Sequence, residues 1–215
     1  MSKKPAARTR SRRAAHPGKG ERPRFWIVAG PNGSGKSSAY GNAEIDGFGG
    51  TVWIINPDLL TSRIAAIEQT ANPNLESVQR IECWLEASIR AHQTIGVETV
   101  LSTGKYQRLV TLAKSLQFEI RLIYIVLDSP ELNIARVKTR VANGGHDVAE
   151  DKIRARYSRS LDQLPWFLNA ADQAWLFDNS GARPKVIGTK QGGILTLDSG
   201  ALPAIKQAAQ KIRSS

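Results

Sequence analysis

The stretch FWIVAGPNGSGKS, residues 25–37, decides the fold that we predict for this chain. Its first five residues are apolar strand formers. The next eight fit the pattern G-x-x-x-x-G-K-[ST], with Gly30, Gly35, Lys36 and Ser37 at the defined positions. Glycines in this pattern let the backbone turn so that its N–H groups cradle an anion at the start of a helix. A Gly-rich surface turn is the alternative, but strand, loop and Lys-Ser pair occur in the order that phosphate binding requires.

The loop predicts a site for a nucleoside triphosphate, with ATP rather than GTP as the expected nucleotide. Lys36 can reach the β- and γ-phosphates, and the Ser37 hydroxyl can ligate Mg²⁺. We therefore predict ATP and Mg²⁺ as the cofactors, with Ser37 as the metal ligand. The residues assigned to nucleotide binding here are Gly30, Pro31, Asn32, Gly33, Ser34, Gly35, Lys36, Ser37 and Ser38.

The net charge of +11 is concentrated at the N-terminus. Residues 1–24 contain nine Lys and Arg residues against Glu21 alone, a net charge of +8, which leaves +3 for the remaining 191 residues. A mildly basic body suits an enzyme that handles phosphate groups and does not require nucleic acid as a partner. At 215 residues, the chain is long enough to bury the core of one domain.

Residues 1–23 combine this charge with Pro, Gly and almost no large apolar side chains. Such a segment cannot bury enough surface to offset its ordering entropy, so we expect a disordered basic tail. A solvated tail is favoured over one that contacts nucleic acid or another anionic partner weakly. We place the folded domain at residues 24–215.

Cys83 is the only cysteine, which excludes a disulfide within the chain and favours a reducing compartment. It falls in an amphipathic helical pattern, where we expect a packed thiol. No apolar run approaches the roughly 18–20 residues that span a membrane, and the N-terminus lacks the apolar core of a secretory signal. Organelle targeting by the Arg-rich tail is an alternative, but a cytoplasmic location is expected.

Strand-like and helical segments alternate beyond the loop, which predicts a parallel sheet with right-handed crossovers. We expect a three-layer α/β/α P-loop fold with a mostly parallel sheet of five to six strands. A helical lid is expected at about residues 133–160, and a small hairpin with a terminal helix at about 184–213. After the first strand, the predicted strands are Val52–Ile55, Val97–Leu101, Ile120–Leu127 and Ala174–Phe177.

Polar residues follow the second and third strands, at the sheet edge where ligands of such folds collect. Asp58, in Asn56-Pro57-Asp58, could accept a proton from an attacking hydroxyl or could stabilise its own helix N-terminus. Glu98 interrupts an apolar strand, so it should meet a ligand, metal-bound water or a basic side chain; a structural ion pair is the alternative. Ser102 and Thr103 follow it and are assigned to the acceptor.

Asp128 ends the fourth strand and could hold Mg²⁺, but the sequence Asp-Ser-Pro-Glu at 128–131 is a helix-start signature, which we favour. The segment from residue 134 to 161 carries five arginines around a Gly-Gly turn, which predicts a lid able to close on a triphosphate. The five arginines are Arg136, Arg140, Arg154, Arg156 and Arg159. We expect most of them to face water.

These motifs together resemble the zeta-toxin-type P-loop kinases, over about residues 24–187. The phosphate loop is one shared feature. The others are Asn56-Pro57-Asp58, Glu98-Thr99-Val100-Leu101-Ser102, the lid with Gly144-Gly145-His146, Ile153-Arg154-Ala155-Arg156-Tyr157, and Asp178-Asn179-Ser180-Gly181. Zeta toxins phosphorylate a sugar hydroxyl of UDP-N-acetylglucosamine and are held silent by an antitoxin. The resemblance implies the same activity, a nucleotide-sugar acceptor and a possible antitoxin partner.

The resemblance also implies residue roles. Asp58 becomes the general base, Glu98 anchors the acceptor, and Arg140 steadies the transferring phosphoryl group. His146 stands where the family has a second lid arginine, so Arg154 or Arg156 must supply that charge. The predicted catalytic residues are thus Lys36, Asp58, Arg140 and Arg156. The nucleotide site also includes Arg136 and Asn179. The acceptor site is expected to include Asp58, Glu98, Ser102, Thr103 and His146.

The function predicted from the sequence is ATP-dependent phosphorylation of a small-molecule hydroxyl, with UDP-N-acetylglucosamine as the leading acceptor. A kinase for another metabolite is the nearest alternative. An NTP-dependent switch that contacts nucleic acid through the basic tail is a further one.

Overall fold

The computed structural model describes residues 21–36, 52–57, 60–61 and 73–212. Strands and helices alternate along most of this part of the chain. The strands are β1 (Arg24–Ala29), β2 (Ile54–Ile55), β3 (Ile95–Thr99), β4 (Glu119–Val126), β5 (Gln173–Asp178), β6 (Lys185–Gln191) and β7 (Ile194–Leu197). The helices within the described ranges are α1 (Pro73–Arg90), α2 (Gln107–Ser115), α3 (Pro130–Ala142), α4 (Glu150–Ala170) and α5 (Pro203–Ile212).

The described strands form one sheet in the order β2-β3-β1-β4-β5-β6-β7. The five strands from β2 to β5 are parallel, whereas β6 pairs antiparallel with β5, and β7 with β6. This confirms the mostly parallel α/β fold. The sheet has seven strands, rather than five to six, because the C-terminal hairpin continues it instead of standing apart.

The sheet is buried on both faces. Along β1, Phe25, Ile27 and Ala29 join the large core that also includes residues of α1, α2, α4 and α5, while Trp26 and Val28 face a second apolar cluster. Strand β4 divides its side chains between the two clusters in the same alternating way. Continuously apolar strands of this kind are typical of parallel sheets that are covered on both sides.

Strand boundaries differ from the prediction by a few residues. Strand β3 begins and ends two residues earlier than expected, so Glu98 is its penultimate residue, and the chain then turns at Leu101, where φ is +59°. Strand β2 covers only Ile54–Ile55. The early end of β3 leaves residues 100–105 as a loop at the edge of the sheet where the candidate site lies.

Helix α1 corrects the expectation for Cys83, whose side chain is exposed. The buried face of the helix is formed by Ile81, Leu85 and Ile89. Successive residues of an α-helix are about 100° apart, so position 83 lies roughly opposite positions 81 and 85. Hydrophobic character alone assigned Cys83 to the wrong face.

The folded part also begins before residue 24. Arg22 donates hydrogen bonds from its guanidinium to the carbonyl oxygens of Gln117 (2.9 Å) and Phe118 (3.0 Å), and the Glu119 N–H donates to the Pro23 carbonyl (2.9 Å). Residues 22 and 23 are therefore hydrogen-bonded to the folded part of the chain; residues 1–20 lie outside the described residues, so the disordered tail stays a prediction. Over the described ranges, no helix combines the length and apolar character of a membrane span.

Candidate functional site

The phosphate loop follows β1 and turns at three glycines with positive φ: Gly30 (+147°), Gly33 (+77°) and Gly35 (+83°). A Cβ atom at Gly30 would lie 2.0 Å from the Ile125 carbonyl oxygen, and one at Gly33 would lie 2.6 Å from the carbonyl oxygen of Asn133. Both the backbone conformation and the close packing therefore require glycine. Lys36, the last described residue before the gap, is helical, in agreement with a helix that starts at the loop.

Three polar side chains hold the loop from outside. Asn179 Nδ2 donates to the Ser34 carbonyl (2.8 Å), and Asn133 Nδ2 donates to the Asn32 carbonyl (2.6 Å). Arg136, one turn further along α3, donates to the carbonyl of Asn179 (2.6 Å). Asn133 and Asn179 thus bind loop carbonyl oxygens directly, whereas Arg136 holds Asn179, and all three contacts stabilise the loop conformation. Direct contact of Arg136 or Asn179 with a nucleotide stays a prediction.

Lys36 lies inside the loop and is 8% exposed. Its ammonium group donates to the carbonyl oxygens of Gly30 (2.8 Å) and Pro31 (3.2 Å) and lies 4.0 Å from Glu98 Oε1. The loop thus satisfies the ammonium with its own carbonyl groups. To bind phosphate oxygens, Lys36 must exchange these neutral acceptors for charged ones, which form stronger hydrogen bonds.

Glu98 pairs with Val28 in the β3–β1 register, which brings it beside the loop. Its Oε2 accepts a hydrogen bond from Asn56 Nδ2 (3.2 Å), and its other oxygen faces Lys36. The carboxylate therefore has a basic partner and also lines a cavity. Its position is compatible both with a structural ion pair to Lys36 and with a contact to a ligand. The sequence placed Asn56 in the polar motif that follows the second strand but gave it no role of its own; the structure pairs it with Glu98.

A cavity of about 370 Å³ opens beside the loop, between the carboxyl ends of β2 and β3 and helix α1. It brings together residues that the sequence assigned to nucleotide binding, to catalysis and to acceptor binding. It also includes Thr61, Ser77 and Lys105, which were not predicted from the sequence. Thr61 Oγ1 donates to the Pro57 carbonyl (2.9 Å) and lies 2.6 Å from Ser77 Oγ. The polar lining residues are Asn32, Lys36, Asn56, Thr61, Ser77, Glu98, Thr99, Ser102, Thr103, Lys105 and Arg156.

Three predicted site residues, Ser37, Ser38 and Asp58, lie outside the described residues. Pro57 immediately precedes Asp58 and lines the cavity. The roles of Asp58 as base and of Ser37 as metal ligand stay predictions.

The predicted lid corresponds to α3 and α4, which are joined by residues 143–149 with Gly144 at φ +83°. Its arginines differ in their contacts. Arg156 donates to Asn32 Oδ1 (3.2 Å) and lines the cavity, whereas Arg154 forms an ion pair with Glu131. Arg140 is exposed and donates to the backbone carbonyl of His146 (2.6 Å) within the turn.

These contacts distinguish the lid predictions. Arg156, rather than Arg154, is the arginine that reaches the cavity. Arg140 and His146 contact each other at the outer end of the lid, and neither lines the cavity described above. Their contact with phosphate or acceptor stays a prediction, since it would require the lid to close. Arg159 is exposed on α4.

Helix α3 begins as its sequence signature predicts. Ser129 is the N-cap, and its hydroxyl accepts a hydrogen bond from the Leu132 N–H (3.4 Å), with Pro130 in the first turn. The Asp128 N–H donates to Ser180 Oγ (2.8 Å), which ties the start of α3 to the segment after β5. This agrees with the helix-start interpretation of residues 128–131.

The described residues fit a triphosphate. The loop has the glycine conformations that an anion cradle needs, and a buried cation stands at its end. No group of three His, Cys, Asp or Glu side chains able to hold a metal occurs among the described residues. Coordination of Mg²⁺ by the Ser37 hydroxyl, together with nucleotide phosphates and water, stays a prediction.

Several solved structures share this fold. The AvrRxo1-ORF1:-ORF2 complex with ATP matches with a TM-score of 0.62 and 17% identity, over 90% of this chain and 64% of that chain. The PezAT chromosomal toxin-antitoxin system of Streptococcus pneumoniae matches with a TM-score of 0.59 and 13% identity, over 96% of this chain and 88% of that one. At these identities the likeness concerns the fold, and this chain spans less than two thirds of the AvrRxo1 chain.

Sequence comparison extends this result. An uncharacterized protein of Haemophilus influenzae (strain ATCC 51907 / DSM 11121 / KW20 / Rd) is 29% identical in an alignment 151 residues long, and the alignment covers 63% of this chain and 99% of that protein. Residues 25–164 match the AAA_33 family model, described as an AAA domain, and this range runs from β1 through the loop, the cavity residues and the lid. The chain therefore belongs to the AAA_33 family of AAA domains.

Proposed function

We propose that this protein is an ATP-dependent kinase that transfers the γ-phosphoryl group to a hydroxyl of a small molecule. The observation that carries the proposal is the cavity of about 370 Å³ beside the phosphate loop. The cavity opens at Lys36, the residue expected at the β- and γ-phosphates, and its lining adds a carboxylate, hydroxyls and a guanidinium to the loop residues. A lining of this kind suits a polar acceptor held next to the terminal phosphate.

The residues present divide the work of phosphoryl transfer. This reaction depends on positioning and on stabilising the charge of the transferring group, so cations at the phosphates and one oriented base suffice. Lys36 and Arg156 supply positive charge on the loop side of the cavity. Mg²⁺, held through Ser37, would neutralise charge on the phosphates. Glu98 and the hydroxyls of Ser102 and Thr103 orient the acceptor, and Asp58 accepts its proton.

The acceptor that we propose first is UDP-N-acetylglucosamine, because the motifs of this sequence resemble those of the zeta toxins. The PezAT toxin-antitoxin system shares the fold, which is compatible with this choice. Incubating the purified full chain with γ-labelled ATP and a panel of nucleotide sugars, followed by mass spectrometry, tests it. Label in another sugar or nucleotide would keep the kinase and replace the acceptor.

Asp58→Asn is the direct test of the kinase mechanism. The amide cannot accept the hydroxyl proton, so phosphoryl transfer should fall by roughly 10²- to 10⁴-fold, the usual contribution of a general base. ATP affinity should stay near that of the unchanged protein, as measured by calorimetry with a non-hydrolysable analogue. Transfer at a near-normal rate by this variant would show that Asp58 is not the base.

We also propose a protein partner that acts as an antitoxin. The AvrRxo1 structure is a complex of two gene products, and PezAT is a toxin-antitoxin system. Expression in bacterial cells should arrest growth, and Asp58→Asn should relieve the arrest. The product of an adjacent small open reading frame should relieve it as well. Normal growth during expression of the active enzyme would contradict this part of the proposal.

A further inference from the structure

Arg156 is a half-buried arginine whose charge is not neutralised by the described part of the protein. Its Nη1 donates to the side-chain oxygen of Asn32 at 3.2 Å, and no carboxylate of the described residues lies within 4.0 Å of it. Arg154, two residues earlier on the same helix, has its charge paired with Glu131. Among the described residues, no acidic side chain competes with an anion for Arg156 at the cavity that it lines.

Asn32 is well placed to orient this guanidinium because it is itself fixed. It is 7% exposed, and its backbone carbonyl accepts the Asn133 Nδ2 hydrogen bond at 2.6 Å. The next residue, Gly33, packs against the backbone of Asn133 so closely that a Cβ would lie 2.6 Å from its carbonyl oxygen. Because a guanidinium only donates hydrogen bonds, the atom of Asn32 that faces Arg156 must be its carbonyl oxygen.

The choice of an amide at position 32 has a consequence for charge. A carboxylate there would bind Arg156 more tightly, but it would cancel the guanidinium charge and repel a triphosphate on the loop. A neutral amide oxygen orients the guanidinium and leaves its charge available. An arginine held in one orientation also loses less side-chain entropy when it binds the reacting group.

We propose that Asn32 is a positioning residue, which holds Arg156 at the boundary between the phosphate loop and the acceptor cavity. Asn32 thereby acts on the rate of phosphoryl transfer through Arg156, in addition to its place in the loop. This inference rests on the proposed kinase function. It predicts that changing Asn32 and changing Arg156 impair the same step.

The test uses the full chain with Asn32→Ala, Arg156→Ala and the double variant, and measures ADP release from Mg²⁺ and ATP with UDP-N-acetylglucosamine. Each single change should lower kcat by roughly 10- to 100-fold, the scale of a misplaced catalytic group. The affinity for AMP-PNP should change by less than about threefold, since ground-state binding is retained. The double variant should be no slower than Arg156→Ala, because the two residues act as one unit.

Arg159→Ala is the matched control, since Arg159 is an exposed arginine on the same helix. It should leave kcat within about twofold, as expected for a solvated side chain. The inference is overturned if Asn32→Ala also leaves kcat within twofold. It is equally overturned if the losses of the two single variants multiply in the double variant, or if Asn32→Ala acts by lowering AMP-PNP affinity.

A readout without catalysis separates this inference from the kinase proposal. The ¹H–¹⁵N heteronuclear NOE of the Arg156 Nε–H group reports whether the side chain is held. It should be high in the unchanged protein and fall in Asn32→Ala, while that of Arg159 is low in both. If no form releases ADP with UDP-N-acetylglucosamine or with any other nucleotide sugar of the panel, the kinase proposal fails, and this measurement alone decides whether Asn32 holds Arg156 in place. An unchanged NOE of Arg156 in Asn32→Ala would overturn it.

Discussion

At the scale of single residues, Lys36 is the group on which we expect nucleotide binding to depend most directly. Its ammonium is buried and bound to two loop carbonyls beside Glu98. Because carbonyl groups are weaker acceptors than phosphates, the contacts described here can be exchanged when a triphosphate enters. The carboxylate of Glu98, which lies 4.0 Å from this ammonium and lines the cavity, would then stand next to the bound phosphates.

Lys36→Met should weaken nucleotide binding while keeping the apolar stem of the side chain. A hydrogen bond between charged groups contributes about 1.5–3 kcal/mol, so the Kd for ATP should rise by roughly 10- to 100-fold. Calorimetry with AMP-PNP measures this change. Lys105→Met serves as the comparison, because Lys105 lines the outer part of the cavity and should affect acceptor binding instead. Equal Kd values for Lys36→Met and the unchanged protein would contradict a phosphate role for Lys36.

Asn179 shows how a residue outside the loop maintains its shape. Asn179→Ala removes the buried hydrogen bond to the Ser34 carbonyl and leaves that carbonyl without its donor. The free energy of unfolding should fall by about 1–3 kcal/mol, and nucleotide affinity should fall with it. Urea denaturation and AMP-PNP titration measure the two effects. Asn169→Ala, at an exposed position of α4, should change neither.

At the scale of elements, the two lid helices are fixed where they meet the sheet. Helix α3 is held through Asn133 and Arg136, and α4 is held by Tyr157, whose hydroxyl donates to the Leu127 carbonyl at 2.8 Å. Further out, the helices contact each other through Ile134, Val137 and Ile153 and through the Lys138–Glu150 ion pair. Closure of the lid should therefore involve its outer end near residues 141–149, rather than a rotation of both whole helices.

Tyr157→Phe tests how strongly α4 is fixed. The change removes the donor to the Leu127 carbonyl, so the free energy of unfolding should fall by about 1–3 kcal/mol. Tyr106→Phe is the matched control: the Tyr106 hydroxyl is buried and has no hydrogen-bond partner among the described residues, so its removal should cost little. Chemical denaturation of both variants measures the difference. Equal stabilities of the two variants would show that the Tyr157 hydrogen bond contributes nothing.

The same tyrosine predicts a dependence on alkaline pH. Burial of the hydroxyl is the main cause, and the nearby Asp128 carboxylate the second, that raises the pKa of Tyr157 to about 12 from its ordinary value of 10.0. The folded state then keeps a proton that the unfolded state loses, so this contribution to stability is complete below pH 10 and is lost between about pH 10 and 12. The loss of stability in this range should be smaller in Tyr157→Phe. Denaturation curves at increasing pH measure it.

At the scale of the whole molecule, the C-terminal hairpin is part of the domain core. Strand β6 pairs with β5, and Ile187, Ile205 and Ala208 belong to the same apolar cluster as β1 and β4. Lys190 on β6 is buried and donates to the carbonyls of Leu168 (2.7 Å), Asn169 (3.0 Å) and Ala171 (2.8 Å). This one side chain binds three carbonyl groups at the C-terminal end of α4 and joins that helix to the antiparallel strands of the sheet.

Lys190→Met should destabilise the entire domain. It leaves three carbonyl groups at the α4 terminus without their donor, and the free energy of unfolding should fall by about 2–4 kcal/mol. Thermal denaturation should show one transition at a lower Tm, since hairpin and sheet unfold together. Lys185→Met, at an exposed position of the same strand, should stay within about 0.5 kcal/mol of the unchanged protein. Two separate transitions would contradict a shared core.

Local signals in the sequence determined the fold class and the loop. Gly30, Gly35 and Lys36 are specified by a short pattern because the backbone conformation of the loop depends on residues that are adjacent in the chain. The apolar run of β4 and the helix-start signature before α3 are likewise local. The side on which Cys83 lies and the pairing of the hairpin with β5 were not predicted, since both depend on which surfaces the packed sheet presents.

The tertiary structure alone decided how the site is assembled. Asn32 and Arg156 are 124 positions apart, and Asn179 and Ser34 are 145 apart, yet each pair is hydrogen-bonded. Thr61, Ser77 and Lys105 line the cavity without belonging to any motif. Contacts between distant positions arise from the order of the strands and the packing of the lid on the loop. A sequence motif predicts neither the strand order nor the packing of the lid, because the free energy of such contacts depends on distances in the folded chain.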